Sequence, residues 1–153
     1  MMKLHFLYGT ETGSAEILCE DIEADLGAGF DCHITAMSDA DPADLVDDVF
    51  YVFVTSTYGT GDLPSMAQPF YDALDTKAPD LGHVRFAIFG LGDMVFSETF
   101  AQGSERLMDK LIACGATMVG ERGIHDASTA EMPEDIAVPW AHDVVARLKS
   151  DAA

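Results

Sequence analysis

The chain of 153 residues carries eight Lys and Arg against 27 Asp and Glu, a formal net charge of −19. A length of this order predicts one domain with a substantial core, residues 1–153 forming a single unit. The charge argues against nucleic acid or an anionic membrane as partner, and no run of about 18 apolar residues suits a membrane span.

The first apolar run, Leu4-His5-Phe6-Leu7, reads as a strand, and Ala15, Leu18, Ile22 and Leu26 then recur at helical spacing. Between them lies Tyr8-Gly9-Thr10-Glu11-Thr12-Gly13-Ser14-Ala15-Glu16, a loop of hydroxyls and glycines opening a helix. A second strand is predicted over Phe30–Ala36, and Asp41-Pro42 reads as the cap and first residue of a short helix. The run Val49-Phe50-Tyr51-Val52-Phe53-Val54 is a buried strand that delivers Ser56-Thr57-Tyr58-Gly59-Thr60-Gly61-Asp62. A helix follows near Met66–Leu74, with Pro69 in its first turn. The run Val84-Arg85-Phe86-Ala87-Ile88-Phe89 is the next strand, and it delivers Gly90-Leu91-Gly92-Asp93-Met94-Val95-Phe96. From about Gly103 to Cys114 a helix carries the apolar stripe Leu107, Met108, Leu111 and Ile112, and Gly115 stops it. A last strand near Thr117–Gly120 and a helix over Glu134–Lys149, with Ala137, Trp140, Val144 and Leu148 on its buried face, complete the alternation. Strands alternating with helices predict a parallel sheet covered on both faces.

The three loops all leave the C-terminal ends of strands, where open parallel sheets bind ligands. In the first, Thr10, Thr12 and Ser14 supply hydroxyls, and the helix start supplies backbone N–H groups and a positive dipole end. It has no Lys, which excludes a nucleotide-triphosphate P-loop, and it lacks the G-x-G-x-x-G dinucleotide fingerprint. One terminal phosphate held by neutral donors fits; a plain helix cap is the alternative. The second and third loops pair glycines with an aromatic, Tyr58 or Phe96, which suits the edge and faces of a flat ring.

With T-Y-G-x-G-D at residues 57–62 and G-L-G-D at residues 90–93, the chain resembles the flavodoxin family, above all its short-chain form and the FMN domains of diflavin reductases. The resemblance covers nearly the whole chain. It implies a five-stranded parallel sheet in the order 2-1-3-4-5 with helices on both faces, an arrangement in which flavodoxin itself carries FMN at the switch point. It implies that Thr10, Glu11, Thr12, Gly13, Ser14 and Ala15 bind the FMN phosphate. Ser56, Thr57, Tyr58, Gly59, Thr60 and Gly61 would line the ribityl chain and one ring face. Gly90, Leu91, Gly92, Asp93 and Phe96 would line the rest, with Phe96 as outer stacking group and Phe100 its substitute. The family usually has Tyr at the position of Phe96, and the Phe96–Phe100 spacing is one residue longer than the common Y-x-x-F.

What this implies is an FMN-dependent single-electron carrier working between protein partners, the redox chemistry belonging to the flavin. The alternative is an FMN-dependent quinone or small-molecule reductase. No nucleophile–base–orienter set stands in the loops, so no catalytic residue is assigned and no independent enzyme activity is expected. A doubly wound signalling receiver is discounted, since Tyr8-Gly9 and Thr55-Ser56 stand where it would need acids. The five histidines show no ligand spacing, so no metal site is expected. Cys19, Cys32 and Cys114 form no C-x-x-C, which suits a reduced, cytoplasmic protein without an export leader.

Charge is distributed unevenly. Through Thr76 the only basic residue is Lys3, against 15 acids. Asp62, Asp93 and Glu98 in the loops suggest an acidic face that steers basic redox proteins, a reductase as donor and a haem or iron–sulfur protein as acceptor. A solvated surface adapted to salt is the alternative, with 18 Asp against 9 Glu.

Overall fold

A computed structural model describes residues 2–10, 13–56, 63–92, 102–126 and 129–152. In chain order these form β1 (Met2–Gly9), α1 (Ser14–Leu26), β2 (Phe30–Ala36), β3 (Phe50–Ser56), α2 (Gln68–Lys77), β4 (Arg85–Gly92), α3 (Gln102–Ala113), β5 (Thr117–Met118), β6 (Gly123–Asp126) and α4 (Pro133–Ala152). Between β2 and β3, Pro42–Asp44 makes a short 3₁₀ turn. Its cap Asp41 accepts a hydrogen bond from Ala43 N at 2.9 Å, as the Asp-Pro pair predicts.

The strands run parallel in the order β2-β1-β3-β4-β5, with β6 also paired to β4. This is the order expected of the family that the loops resemble. Period-two alternation explains why the central strands are apolar throughout. Phe50, Val52 and Val54 of β3 pack on one side of the sheet beneath α1 and α4, while Tyr51 and Phe53 pack on the other beneath α2 and α3. Both faces of β3 are therefore core, and six of its seven residues are buried. Ala15, Leu18, Cys19 and Ile22 dock α1, and Ala137, Ala141, Val144, Val145 and Leu148 dock α4. Trp140 is half-buried and packs against this core: its ring meets Phe89 edge-on at 5.3 Å, and Nε1 donates to Glu121 O at 3.0 Å.

Two expectations change. Ile112 is 46% exposed rather than part of the α3 stripe. The buried line there runs Ser104, Leu107, Leu111, and a residue after Leu111 is turned about 100° away from it. The fifth sheet position holds two segments instead of one. β5 pairs only with Arg85–Phe86, ending two residues short of Gly120, and the unexpected β6 pairs with Phe89–Gly92. Between them Val119 N still donates to Phe86 O at 2.8 Å, Glu121 O accepts from Trp140 Nε1, and Arg122 Nη1 donates to Ser104 Oγ at 2.8 Å.

Candidate functional site

Strand register brings the loops together. Gly9 of β1 pairs with Thr55 of β3, and Thr55 pairs with Gly90 of β4, so one row of residues crosses the sheet just below the first and second loops. Ser56 and Leu91 form the next row up. Gly9, Ser56 and Gly92 thus end β1, β3 and β4 at the same C-terminal edge.

Of the residues expected in the site, Thr10, Gly13, Ser14, Ala15, Ser56, Gly90, Leu91 and Gly92 are described. Glu11, Thr12, Thr57, Tyr58, Gly59, Thr60, Gly61, Asp93, Phe96 and Phe100 lie outside the described residues, as do Asp62 and Glu98. Ser56 and Gly90–Gly92 belong to the strands themselves, because β3 and β6 continue the pairing of β4 up to Gly92. Gly90 and Leu91 are buried, so they offer the site backbone rather than side chain; Gly92 is half-exposed.

The first loop has a defined local geometry. Thr10 is 5% exposed, and its Oγ1 accepts from Gly13 N at 3.0 Å, closing a tight turn. Gly13 caps α1 in the left-handed region (φ 88°), where side chains are strained, and a Cβ there would meet nothing within 4 Å. Among the described residues nothing crowds the helix start on that side. Ala15, fully buried, pins the first turn to the core. Glu16, in the same turn, accepts a hydrogen bond from the Tyr8 hydroxyl, and this bond is the main cause that pushes the phenol pKa up to about 12. The cap residue brings no side-chain acceptor, and residues 10–15 include no cation. The result is an N-terminal helix end with neutral donors, chemically suited to an anion.

Below the loop, Gly9 is a close-approach position. A Cβ added there would lie 2.7 Å from Ala67 Cβ and 3.1 Å from Thr55 Oγ1. The turn leading into α2 therefore abuts the end of β1, and the backbone of the first loop is set by that contact. Thr55 is fully buried and donates through Oγ1 to Ser56 O at 3.3 Å.

Sequence reasoning missed a fourth loop at this edge. Gly92 pairs with Asp126, and the Asp126 carbonyl accepts from both Thr129 N (3.1 Å) and Thr129 Oγ1 (2.8 Å). His125 is buried, with Nε2 2.7 Å from Glu131 O. The segment does carry Gly123 and the hydroxyl pair Ser128-Thr129, but only the pairing of β6 with β4 places it at this edge.

Comparison with known proteins agrees with the geometry. Residues 6–140 match the family model described as Flavodoxin. The chain is 32% identical over 152 residues to Protein MioC of Escherichia coli K12, covering 97% of this chain and all of that protein. It is 34% identical over 140 residues to human NADPH–cytochrome P450 reductase, covering 87% of this chain but 20% of the reductase. Among solved structures, a cysteine-substituted variant of flavodoxin from Pseudomonas aeruginosa superposes with a TM-score of 0.83 at 30% identity, covering 97% of this chain and 99% of that one.

Proposed function

The chain belongs to the flavodoxin family, a family of FMN-binding electron carriers, and we propose that this carrier holds FMN across the four-loop edge of its sheet. The observation that carries the assignment is the register row Gly9–Thr55–Gly90, which aligns the three loop-bearing strand ends. Thr10, Thr12, Ser14 and backbone N–H groups of the Glu11–Ala15 stretch other than that of Gly13, which donates to Thr10 Oγ1, would hold the FMN phosphate at the first turn of α1. Three features support this: the Thr10–Gly13 turn, the clearance beside Gly13 among the described residues and the absence of a cap side chain. Ser56 to Gly61 line the ribityl chain and one ring face; Gly90 to Asp93 and Phe96 line the other, with Phe100 as the alternative stacking ring. Tyr58 and Phe96 cover the ring and limit its contact with water.

Bound FMN supplies the one-electron chemistry, and the protein supplies binding, orientation and field. The carrier is a single domain and exchanges electrons with basic redox proteins, a reductase as donor and a haem or iron–sulfur protein as acceptor. It works in the cytoplasm without substrate turnover of its own. The free thiols of Cys19, Cys32 and Cys114 are consistent with a reducing compartment. Among the described residues no helix is long and apolar enough to cross a membrane.

The test is the visible spectrum and flavin content of the purified protein, followed by titration of the apoprotein with FMN and with riboflavin. About one FMN per chain, and binding of FMN far tighter than of riboflavin, is the expected result. Equal affinity for the two would remove the phosphate assignment. Steady turnover of a quinone with a reduced nicotinamide would make the protein a reductase rather than a carrier.

A further inference from the structure

Tyr8 and Glu16 stand at the two ends of the first loop. Tyr8 is the penultimate residue of β1, Glu16 lies in the first turn of α1, and residues 9–15 run between them. The Tyr8 hydroxyl donates to Glu16 Oε2, so the loop is bridged from strand to helix. The Tyr8 side chain packs partly buried against the core cluster beneath α1, which makes the phenol the anchored partner and the carboxylate the movable one.

The pair departs from the usual chemistry of a helix start. A Glu at the third helical position commonly reaches back to the amide of the cap residue. Here the cap amide, Gly13 N–H, is already taken by Thr10 Oγ1 at 3.0 Å, and Glu16 is drawn to Tyr8 instead. The reach-back half of a capping box is therefore not made, and Gly13, having no side chain, cannot make the other half. This matters because a first-turn carboxylate is attracted by the same positive helix end that attracts a phosphate. An unheld Glu16 would be an internal competitor for that position and a like charge beside any anion bound there.

We propose that the Tyr8–Glu16 bond is a clasp that gives the first loop its preference for a phosphorylated ligand, by holding the Glu16 carboxylate off the helix end and tying the strand to the first turn of α1. Tyr8 and Glu16 are positioning residues and need not touch the ligand. The inference rests on the assignment of the phosphate to the Thr10–Ala15 loop. It goes beyond that assignment in naming what keeps an acidic protein's own carboxylate out of its anion site.

The experiment titrates apoprotein with FMN and with riboflavin for the parent chain, Tyr8→Phe, Glu16→Gln and the double variant, at low and high salt. Tyr8→Phe should weaken FMN binding about tenfold, the worth of one hydrogen bond to a charged group, and change riboflavin binding less than about twofold. Glu16→Gln keeps an acceptor for the phenol and removes the charge, so it should bind FMN at least as tightly as the parent. The double variant should recover most of what Tyr8→Phe loses, since the released side chain is then neutral. The Tyr8→Phe penalty should shrink at high salt, where charge repulsion is screened. A merely structural role would weaken both ligands alike and show no such recovery. An FMN-to-riboflavin ratio unchanged by Tyr8→Phe would overturn the clasp, as would a double variant no better than Tyr8→Phe. Were Tyr8→Phe to misfold, Glu16→Gln alone decides: selective loss of FMN affinity would overturn the proposal. A parent chain that does not discriminate between the ligands removes the phosphate assignment and the clasp together; discrimination that survives Tyr8→Phe removes only the clasp.

Discussion

Replacing Gly9 by Ala tests whether the end of β1 is set by contact with the turn before α2. The new Cβ would lie 2.7 Å from Ala67 Cβ and 3.1 Å from Thr55 Oγ1. Carbon atoms at rest stand about 3.5–4.0 Å apart, so roughly 1 Å of displacement is needed. Ala67 has no side-chain torsion that could absorb it, and both Ala67 and Thr55 are fully buried. The backbone of β1 or of the turn must therefore shift, which for an overpacked core costs about 1–3 kcal/mol. For a chain of this length a loss of about 2 kcal/mol lowers Tm by about 4–8 °C. Urea unfolding of the apoprotein, followed by circular dichroism, measures the stability; FMN titration measures the transmitted displacement of the first loop, with weaker binding expected. The control is Gly9→Ala combined with Ala67→Gly. Removing the Ala67 Cβ leaves the new methyl at 3.6 Å from Ala67 Cα, so the double variant should be more stable than the sum of the single effects by about 1 kcal/mol or more. Additive effects would refute the contact as the cause.

Gly13→Ala places a side chain in the left-handed region without a steric neighbour, so its cost should be backbone strain alone, about 1–2 kcal/mol by urea unfolding; Gly13→Asn should cost less. His5 is partly buried, its ring nitrogen 2.8 Å from Thr35 Oγ1, and burial first and His33 second hold its pKa below the usual 6.5. A depressed histidine pKa means the folded state prefers the neutral ring. Its contribution is present above pH 6.5 and is lost as pH falls through the lower folded value, and an NMR titration of His5 with a midpoint at or above 6.5 would contradict this. Electron transfer to a basic acceptor such as a cytochrome c should slow as salt rises, since surface fields are screened over about 10 Å at 0.1 M. Neutralising Asp62 and Glu98 should flatten that dependence more than neutralising Glu20 and Asp21 on α1, and equal effects would reduce the acidity to net charge alone.

Much of this protein is written locally. The runs at Phe50–Val54 and Arg85–Phe89 are apolar at every or nearly every position because parallel central strands bury both faces, and that one-dimensional signal needs no knowledge of neighbours. Loops placed after such strands, with a hydroxyl-and-glycine opening to a helix, point to the phosphate site proposed above, because helix ends carry their chemistry wherever they occur. Pairing is different. That Gly9, Thr55 and Gly90 share a row, and that Asp126 reaches the same edge, depends on pairing between residues about 34 to 46 apart in sequence, and no local pattern encodes it. The break between β5 and β6 is likewise accompanied by contacts with distant residues, Trp140 with Glu121 and Ser104 with Arg122. Ile112 looked like core because helical spacing gives a stripe but not its width; the position of α3 against the sheet decided where the stripe ends. The diversion of Glu16 to Tyr8 is the clearest case. A first-turn carboxylate can reach back to the cap amide, and only the packing of Tyr8 under α1, together with the Thr10–Gly13 turn, gives Glu16 another partner.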